Sequence, residues 1–300
     1  GYDNESLAVT AMCLTFFLWC RSLRNRSSWW IAGFAGLAYV YMVAAWGGYT
    51  FVLNMVGLHA AALVLLGQYN ASLHKAYSLF WIVGTLGAIQ FPVVGLAPIK
   101  SMEQLGPMAV FLCMQVLEFG ERLVKTRKLD GAAAWRVRIN VYGAAAVALF
   151  AVVVALYPTG YFGPLSVRVR GLFIKHTKTG NPLVDSVAEH QPGTPDAYER
   201  YLHYTNFNIA PVGFVISLLH YINTRSPSAL FLPLYAATAY YFANRMVRLI
   251  IFMGPIASCL TGVGVGYVVD DVLKCILSVF ADLVNHLKKG GKKKKDEEND

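Results

Sequence analysis

The feature that most constrains this sequence is a series of apolar stretches that recurs from end to end. A helix needs roughly 17 to 25 apolar residues to cross about 30 Å of hydrocarbon. We place about nine such spans, at residues 5–20, 29–46, 49–66, 77–98, 107–124, 139–157, 207–222, 228–243 and 246–268. Because 56% of the residues are hydrophobic and only 14% are charged, a soluble domain of ordinary composition is excluded. The sequence predicts an all-α integral membrane protein, a polytopic helical bundle.

The predicted spans divide the chain into four parts. Residues 1–157 hold six spans, 158–206 form one long polar loop, 207–268 hold three spans, and 269–300 form an amphipathic helix with a basic tail. Within the first part, the run Trp46-Gly47-Gly48-Tyr49 predicts a helix break, because two glycines stand between interfacial aromatic residues.

Positive charge indicates how the spans are oriented. The formal net charge is +9, and its clusters are "RSLRNR" at 21–26, "ERLVKTRKLDGAAAWRVR" at 121–138 and "KKGGKKKK" at 288–295. Nine spans place these clusters on one face, which the positive-inside rule makes cytosolic. The start of the chain and the loop 158–206 then share the lumenal or external face. Since the clusters are explained by topology, no nucleic-acid partner is predicted.

Three carboxylates on the lumenal face are candidates for chemistry: Asp3, Glu5 and Glu189. In an extended segment, residues two apart point to the same side, so Asp3 and Glu5 can converge on a hard cation such as Mg²⁺ or Mn²⁺. On a helix they diverge, and from these residues alone helix capping is the favoured interpretation. His190, beside Glu189, is either a base or ligand or a residue that holds the loop.

An arginine and a tryptophan complete the set of candidates. Arg248 lies at the start of the last span, and we predict that Arg245 lies on the same helical face. Arg248 is either an interface anchor or a functional cation, whose planar guanidinium matches the geometry of phosphate oxygens. Trp46 is either an interfacial belt residue, the favoured interpretation, or a platform for a ring such as a sugar. His59 and His220 lie in apolar helices and are interpreted as structural. Acids, an arginine and an aromatic on one face suit transfer chemistry on a phosphorylated lipid.

Four motifs, in this order, resemble the catalytic subunit of eukaryotic oligosaccharyltransferase: "YDNE" at 2–5, "YMVAAWGGYTFVLNMVGLHAAAL" at 41–63, "SVAEHQP" at 186–192 and "MVRLIIFMGPIASCLTGV" at 246–263. The resemblance covers most of the chain. It implies an enzyme of the endoplasmic reticulum membrane with a lumenal active site. Such an enzyme transfers a preassembled oligosaccharide from dolichyl diphosphate to the asparagine of Asn-x-Ser/Thr sequons, with inversion at the anomeric carbon.

The resemblance also implies a role for each candidate residue. Asp3, Glu5 and Glu189 match the acids around a manganese or magnesium ion, Arg248 the arginine that binds the diphosphate, and Trp46 the aromatic near the first sugar. Glu189 would also orient the acceptor amide, on a polar loop that closes as a lid. The implied partners are the lipid-linked oligosaccharide, the acceptor polypeptide, membrane lipid and other oligosaccharyltransferase subunits.

Departures from the family pattern leave alternatives open. Ala188 stands where many relatives have serine, and neither the family's first acidic motif nor its Trp-Trp-Asp-Tyr-Gly domain is present in these residues. We therefore expect the chain to be a fragment that is inactive alone. A noncatalytic truncated relative or scaffold is one alternative. A lipid or solute transporter, whose Arg248 and lumenal acids bind cargo without chemistry, is the other.

Overall fold

The computed structural model describes residues 3–161 and 191–297, with residues 282–297 described as helix backbone only. Within these ranges nine helices are 15 residues or longer, and each overlaps one predicted span. They are α1 (Asn4–Arg24), α2 (Ile31–Ala45), α3 (Tyr49–Leu65), α4 (Ala71–Ile89), α6 (Leu105–Thr126), α7 (Gly131–Leu156), α9 (Tyr204–Thr224), α10 (Pro227–Arg245) and α11 (Ile250–Glu297). Two short helices are α5 (Ala97–Lys100) and α8 (Pro195–Leu202).

The all-helical class agrees with the sequence. Among the described residues four segments are long and apolar enough to cross a membrane by length and composition: Asn4–Arg24, Gly131–Thr159, Tyr204–Thr224 and Val247–Ala281. Ile31–Ala45 and Tyr49–Leu65 are apolar but shorter. The count of nine transmembrane spans and the lumenal position of the long loop remain predictions. Most of that loop, residues 162–190, lies outside the described residues.

Helix boundaries follow local signals where these are strong. The predicted break at Trp46 to Gly48 is confirmed, since α2 ends at Ala45 and α3 begins at Tyr49. Helix α4 begins earlier than predicted, because the Asn70 side chain caps it by accepting the Leu73 N–H at 2.8 Å. The last predicted span ends at residue 268, but α11 runs without a break from Ile250 to Glu297.

The centre of the bundle is an aromatic cluster around Trp19, which is fully buried. Its indole N–H donates to Nδ1 of buried His59 at 3.0 Å, and Nε2 of His59 lies 3.0 Å from the Pro227 carbonyl oxygen. Because an indole only donates and a carbonyl only accepts, the proton of His59 must sit on Nε2. The expectation that His59 is structural is confirmed, whereas the His220 side chain is exposed.

The two ends of the bundle differ in character. One end, called the site end, consists of the start of α1, the α2–α3 turn, residues 101–104 and the α10–α11 junction. The contacts between Arg248 and Glu5 and between Trp46 and Phe252 join these segments. At the other end, Ser72 donates to the Arg26 carbonyl at 2.8 Å and Tyr69 to Glu118 at 3.1 Å. The basic clusters at 21–26 and 121–138 therefore lie together, away from the site end.

Helices α9 and α11 approach each other through small residues. A Cβ built on Gly213 of α9 would collide with the backbone carbonyl group of Leu260 in α11, and Gly264 faces the same place. Small residues at such a crossing let two backbones come into contact, as is common between helices in membranes. The position of α11, and hence of the junction that precedes it, depends on this contact.

We expect Gly213→Ala to destabilise the protein by about 1–3 kcal/mol, because a backbone atom cannot rotate away from the added methyl and the helices must separate. Gly262→Ala is the matched control, since a Cβ there has no neighbour within 4 Å. Thermal unfolding of the full-length protein in detergent measures both. Equal midpoints for the two variants would contradict the proposed packing.

Candidate functional site

Arg248 is presented by a break between two helices. Helix α10 ends at Arg245, Met246 is extended with φ −153° and ψ 123°, and Val247–Leu249 forms a single 3-10 turn before α11 begins. The prediction that Arg245 and Arg248 share one helical face is wrong, because the extended Met246 interrupts the helix between them.

The two arginines consequently have different partners. Arg245 stacks on the ring of Tyr241, with its guanidinium carbon 5.1 Å from the ring centroid. Arg248 reaches across the site end, and its Nη2 lies 2.8 Å from Oε1 of Glu5 in the first turn of α1. This contact joins residues 243 positions apart in sequence.

The Glu5–Arg248 ion pair is partly open to solvent. The side chains are 30% and 43% exposed, respectively. Ion pairs with this exposure contribute about 0–1 kcal/mol, so a ligand that offers either group a better partner can separate them at little cost. The pair holds the Glu5 carboxylate and the Arg248 guanidinium near each other.

Asp3 occupies the N-cap position of α1, with extended φ of −102° and ψ of 149°. Its side chain makes no capping hydrogen bond, although its carbonyl accepts the Ser6 N–H at 3.0 Å. Because the helix begins at Asn4, the extended lead-in covers Asp3 but not Glu5. The first-turn carboxylate of Glu5 is favourably placed near the positive end of the helix dipole, yet its side chain is directed to Arg248.

Trp46 lies in the break between α2 and α3, as the C-cap of α2. Its ring packs against Phe252 of α11, with centroids 5.4 Å apart, and lies over Gly48. A Cβ built on Gly48 would collide with the six-membered ring of Trp46. The ring can take this position because residue 48 has no side chain.

A cavity of about 970 Å³ lies at the site end. Trp46 and Arg248, predicted separately to bind substrate, both line it. Its wall is mainly apolar, with a few polar side chains among Thr50, Asn54, Glu103, Thr238 and Tyr241. An apolar cavity with a small number of convergent polar groups is typical of a small-molecule or cofactor site.

The end of the long loop is anchored beside this cavity. The Gln191 carbonyl accepts the Val247 N–H at 2.9 Å, and Tyr198 of α8 donates to Oδ1 of Asn244 at 2.9 Å. Burial and the neighbouring Tyr240 raise the pKa of Tyr198 to about 12, so its hydroxyl stays protonated and able to donate. Glu189 and His190 lie outside the described residues.

A metal would find carboxylate oxygens here, the ligands that Mg²⁺ and Mn²⁺ prefer. The Asp3 carboxylate is not used in capping, and that of Glu5 sits in a weak, partly exposed ion pair, so both fit the role. No group of three potential ligands occurs within residues 3–161 and 191–281. The third predicted ligand, Glu189, falls outside those ranges.

Sequence inspection did not single out Asn54 or Glu103, which line the cavity as well. Asn54 stands within an apolar helix, where a polar side chain is costly unless it has partners or a function, and this was the available signal. Glu103 has no comparable signal, because it lies in a turn where acidic residues are common.

Comparison with known proteins identifies the family. Residues 1–261 match the family model "Oligosaccharyl transferase STT3, N-terminal". The chain is 34% identical over 280 residues to the dolichyl-diphosphooligosaccharide–protein glycosyltransferase subunit stt-3 of Caenorhabditis elegans, covering 91% of this chain and 35% of that protein. It is 33% identical over 274 residues to subunit stt3 of Schizosaccharomyces pombe, covering 90% and 35%.

Solved structures share the fold. One is the archaeal oligosaccharyltransferase AglB of Archaeoglobus fulgidus in complex with an inhibitory peptide and a dolichol-phosphate, with a TM-score of 0.61 and 15% identity over 91% of this chain and 33% of that one. Another is the apo form of the Archaeoglobus fulgidus oligosaccharyltransferase, with a TM-score of 0.63 and 14% identity over 92% and 34%.

This chain spans only about a third of the length of the curated proteins that it resembles. The family model nevertheless covers residues 1–261, which is most of the chain. Glu5, Trp46 and Arg248 all fall inside this match. The chain therefore belongs to the oligosaccharyl transferase STT3 family.

Proposed function

We propose that the protein containing this chain transfers a preassembled oligosaccharide from dolichyl diphosphate to the asparagine side chain of Asn-x-Ser/Thr sequons. The transfer is metal-assisted and inverts the anomeric centre. The observation that carries the proposal is the shared cavity: Trp46 and Arg248 both line it, and Glu5 is paired with Arg248 at 2.8 Å. Three motif residues from distant parts of the chain thus meet at one place.

Arg248 is the proposed partner of the donor diphosphate. Its guanidinium is always charged and matches two phosphate oxygens at once. The 3-10 turn holds it at the cavity wall, and its ion pair with Glu5 is partly exposed and therefore weak. Charge that develops on the leaving diphosphate is stabilised there.

The bond changes are those of a displacement at carbon. The amide nitrogen of the acceptor asparagine bonds to the anomeric carbon as the bond from that carbon to the diphosphate oxygen breaks. The diphosphate leaves with the electron pair, and the amide loses one proton, for which the Glu189 carboxylate is the proposed acceptor. Since the lone pair of an amide is delocalised, a carboxylate that orients the amide assists attack.

Asp3 and Glu5, with Glu189, are the proposed ligands of a Mn²⁺ or Mg²⁺ ion. When bound, such an ion supplies positive charge that stabilises the departing diphosphate. Release of Glu5 from Arg248 would make the Glu5 carboxylate available to the ion. Trp46, fixed over Gly48, offers its face to the first sugar.

The proposed setting is the endoplasmic reticulum membrane, with the site end in the lumen and the basic end in the cytosol, as the positive-inside rule requires. Membrane lipid and other subunits of the transferase are the proposed partners. We favour transfer over a noncatalytic scaffold or a transporter because Trp46 and Arg248 line one cavity, Glu5 is paired with Arg248, and all three residues lie in motifs of a transferase family.

We expect Arg248→Ala to lower the rate of peptide glycosylation about 10²–10³-fold, the usual cost of removing one group that stabilises transition-state charge. Arg248→Lys keeps the charge but not the fork, so it should recover only part of the rate. The assay uses the full-length protein in its native complex, a lipid-linked oligosaccharide and a short Asn-x-Thr peptide.

Arg245→Ala is the matched control, because its guanidinium stacks on Tyr241 rather than contacting Glu5. We expect its effect to be at least tenfold smaller. A fully active Arg248→Ala protein would refute the assignment of the diphosphate site. An inert wild-type complex would instead favour the scaffold.

Removal of divalent cations by a chelator should abolish transfer, and Mn²⁺ or Mg²⁺ should restore it, because the carboxylates of Asp3 and Glu5 are ligands for hard cations. Glu5→Gln should raise the metal concentration needed for half-maximal rate by about tenfold or more, a loss expected when a ligand is weakened. Metal titrations of both proteins provide the measurement, and full activity in chelator would contradict the proposal.

We expect Gly48→Ala to reduce transfer substantially while leaving thermal stability nearly unchanged, because the new methyl must displace the partly exposed ring of Trp46. Gly143→Ala, in an exposed part of α7 where a Cβ has no neighbour within 4 Å, is the control. Initial rates at several donor concentrations test the idea. Wild-type kinetics in Gly48→Ala would show that the position of the ring is immaterial.

A further inference from the structure

Asn54 lies in the second turn of α3, within one of the apolar stretches of the chain. Its side-chain amide makes two hydrogen bonds. Nδ2 donates to the Thr50 carbonyl at 2.8 Å and to the Glu103 carbonyl at 2.9 Å. The first bond is local to the helix, whereas the second ties α3 to the turn that precedes α6.

These two bonds fix which way the amide faces. A carbonyl oxygen can only accept a hydrogen bond, so both carbonyls must face the NH₂ group of Asn54. With both N–H groups used, the remaining polar atom, Oδ1, must point away from the two carbonyls. The orientation therefore follows from the partners themselves.

Asn54 lines the cavity, and Oδ1 is the polar atom of its side chain that the two bonds leave over. Across residues 3–161 and 191–281 no group donates a hydrogen bond to it. It lies beside Gly106, where a Cβ would be 3.6 Å away, so the lack of a side chain at 106 leaves the oxygen uncovered on that side. Asn54 and Gly106 both line the cavity that Trp46 and Arg248 line.

We propose that Oδ1 of Asn54 is a specificity element, which accepts a hydrogen bond from a hydroxyl or amide N–H of the sugar nearest the diphosphate. This inference rests on the proposed function. A site oxygen that can only accept selects a ligand group that can donate, and leaving it unpaired in the bound complex carries a cost.

The chemistry of the donor substrate points to its sugar. A diphosphate bound by Arg248 presents acceptor oxygens, which cannot pair with Oδ1. A polyprenyl chain carries no hydrogen-bond donor. Only the saccharide part of the donor has O–H and N–H groups, and Trp46 in the same wall offers an aromatic face to the same ring.

The test is a double-mutant cycle between enzyme and substrate. Wild-type and Asn54→Ala full-length proteins, in their native complex, are assayed with a short-chain polyprenyl diphosphate disaccharide and with analogues that each lack one donor group of the first sugar. Asn54→Ser is assayed in parallel, because its hydroxyl can keep the bond to the Thr50 carbonyl but is too short to replace Oδ1.

We expect Asn54→Ala and Asn54→Ser to lower kcat/KM for the complete donor about tenfold, as befits one neutral hydrogen bond. One analogue should lower kcat/KM of the wild type about tenfold as well. With either variant, that analogue should give the same kcat/KM as the complete donor, within twofold. The KM for the peptide should not change. If one variant fails to fold, the other carries the cycle; if neither folds, Asn54 is structural and the inference is overturned.

If, for every analogue, the loss in kcat/KM caused by the variant multiplies the loss caused by the analogue, the two act independently. Asn54 would then have a structural role, and the inference would be overturned. A loss confined to the peptide KM would assign Oδ1 to the acceptor chain instead and would equally overturn it. Wild-type protein that transfers no sugar from the complete donor would refute the proposed function itself. Normal transfer by the wild type, with no analogue whose effect depends on Asn54, would refute only the inference about Asn54.

Discussion

The constraint on which this structure depends is that an apolar surrounding leaves backbone N–H and C=O groups no partner except each other. Each long apolar segment must therefore be a helix. Regular helices leave few polar groups for chemistry, so the polar groups of the site come mainly from helix ends and breaks. Asp3 is an N-cap, Trp46 lies in the α2–α3 break, and Arg248 lies in the 3-10 turn before α11.

Close packing then decides where these ends meet. The Trp19–His59–Pro227 chain ties α1, α3 and the start of α10 together, and the contact at Gly213 sets α9 against α11. The α10–α11 junction is thereby brought beside the start of α1. The exposed Glu5–Arg248 pair is weak enough to open, so it marks the meeting place without supplying much of the stability.

Some features were predictable because their causes are local. Glycines 47 and 48 predicted a helix break, and the structure has one. The shared helical face of Arg245 and Arg248 was not realised, because the extended Met246 is held by tertiary contacts around Val247, whose N–H donates to Gln191. Asn54 shows the same limit, since its role depends on a carbonyl 49 residues away.

The sequence by itself determined the helical class, the separation of basic from acidic ends and the motifs of the STT3 family, because hydrophobic length, charge and residue identity are properties of short segments. Only the tertiary structure decided that Trp46, Asn54 and Arg248 line one cavity and that Glu5 pairs with Arg248 at its edge. Such convergence depends on how helices far apart in sequence pack, and this depends on shape complementarity that no single segment encodes.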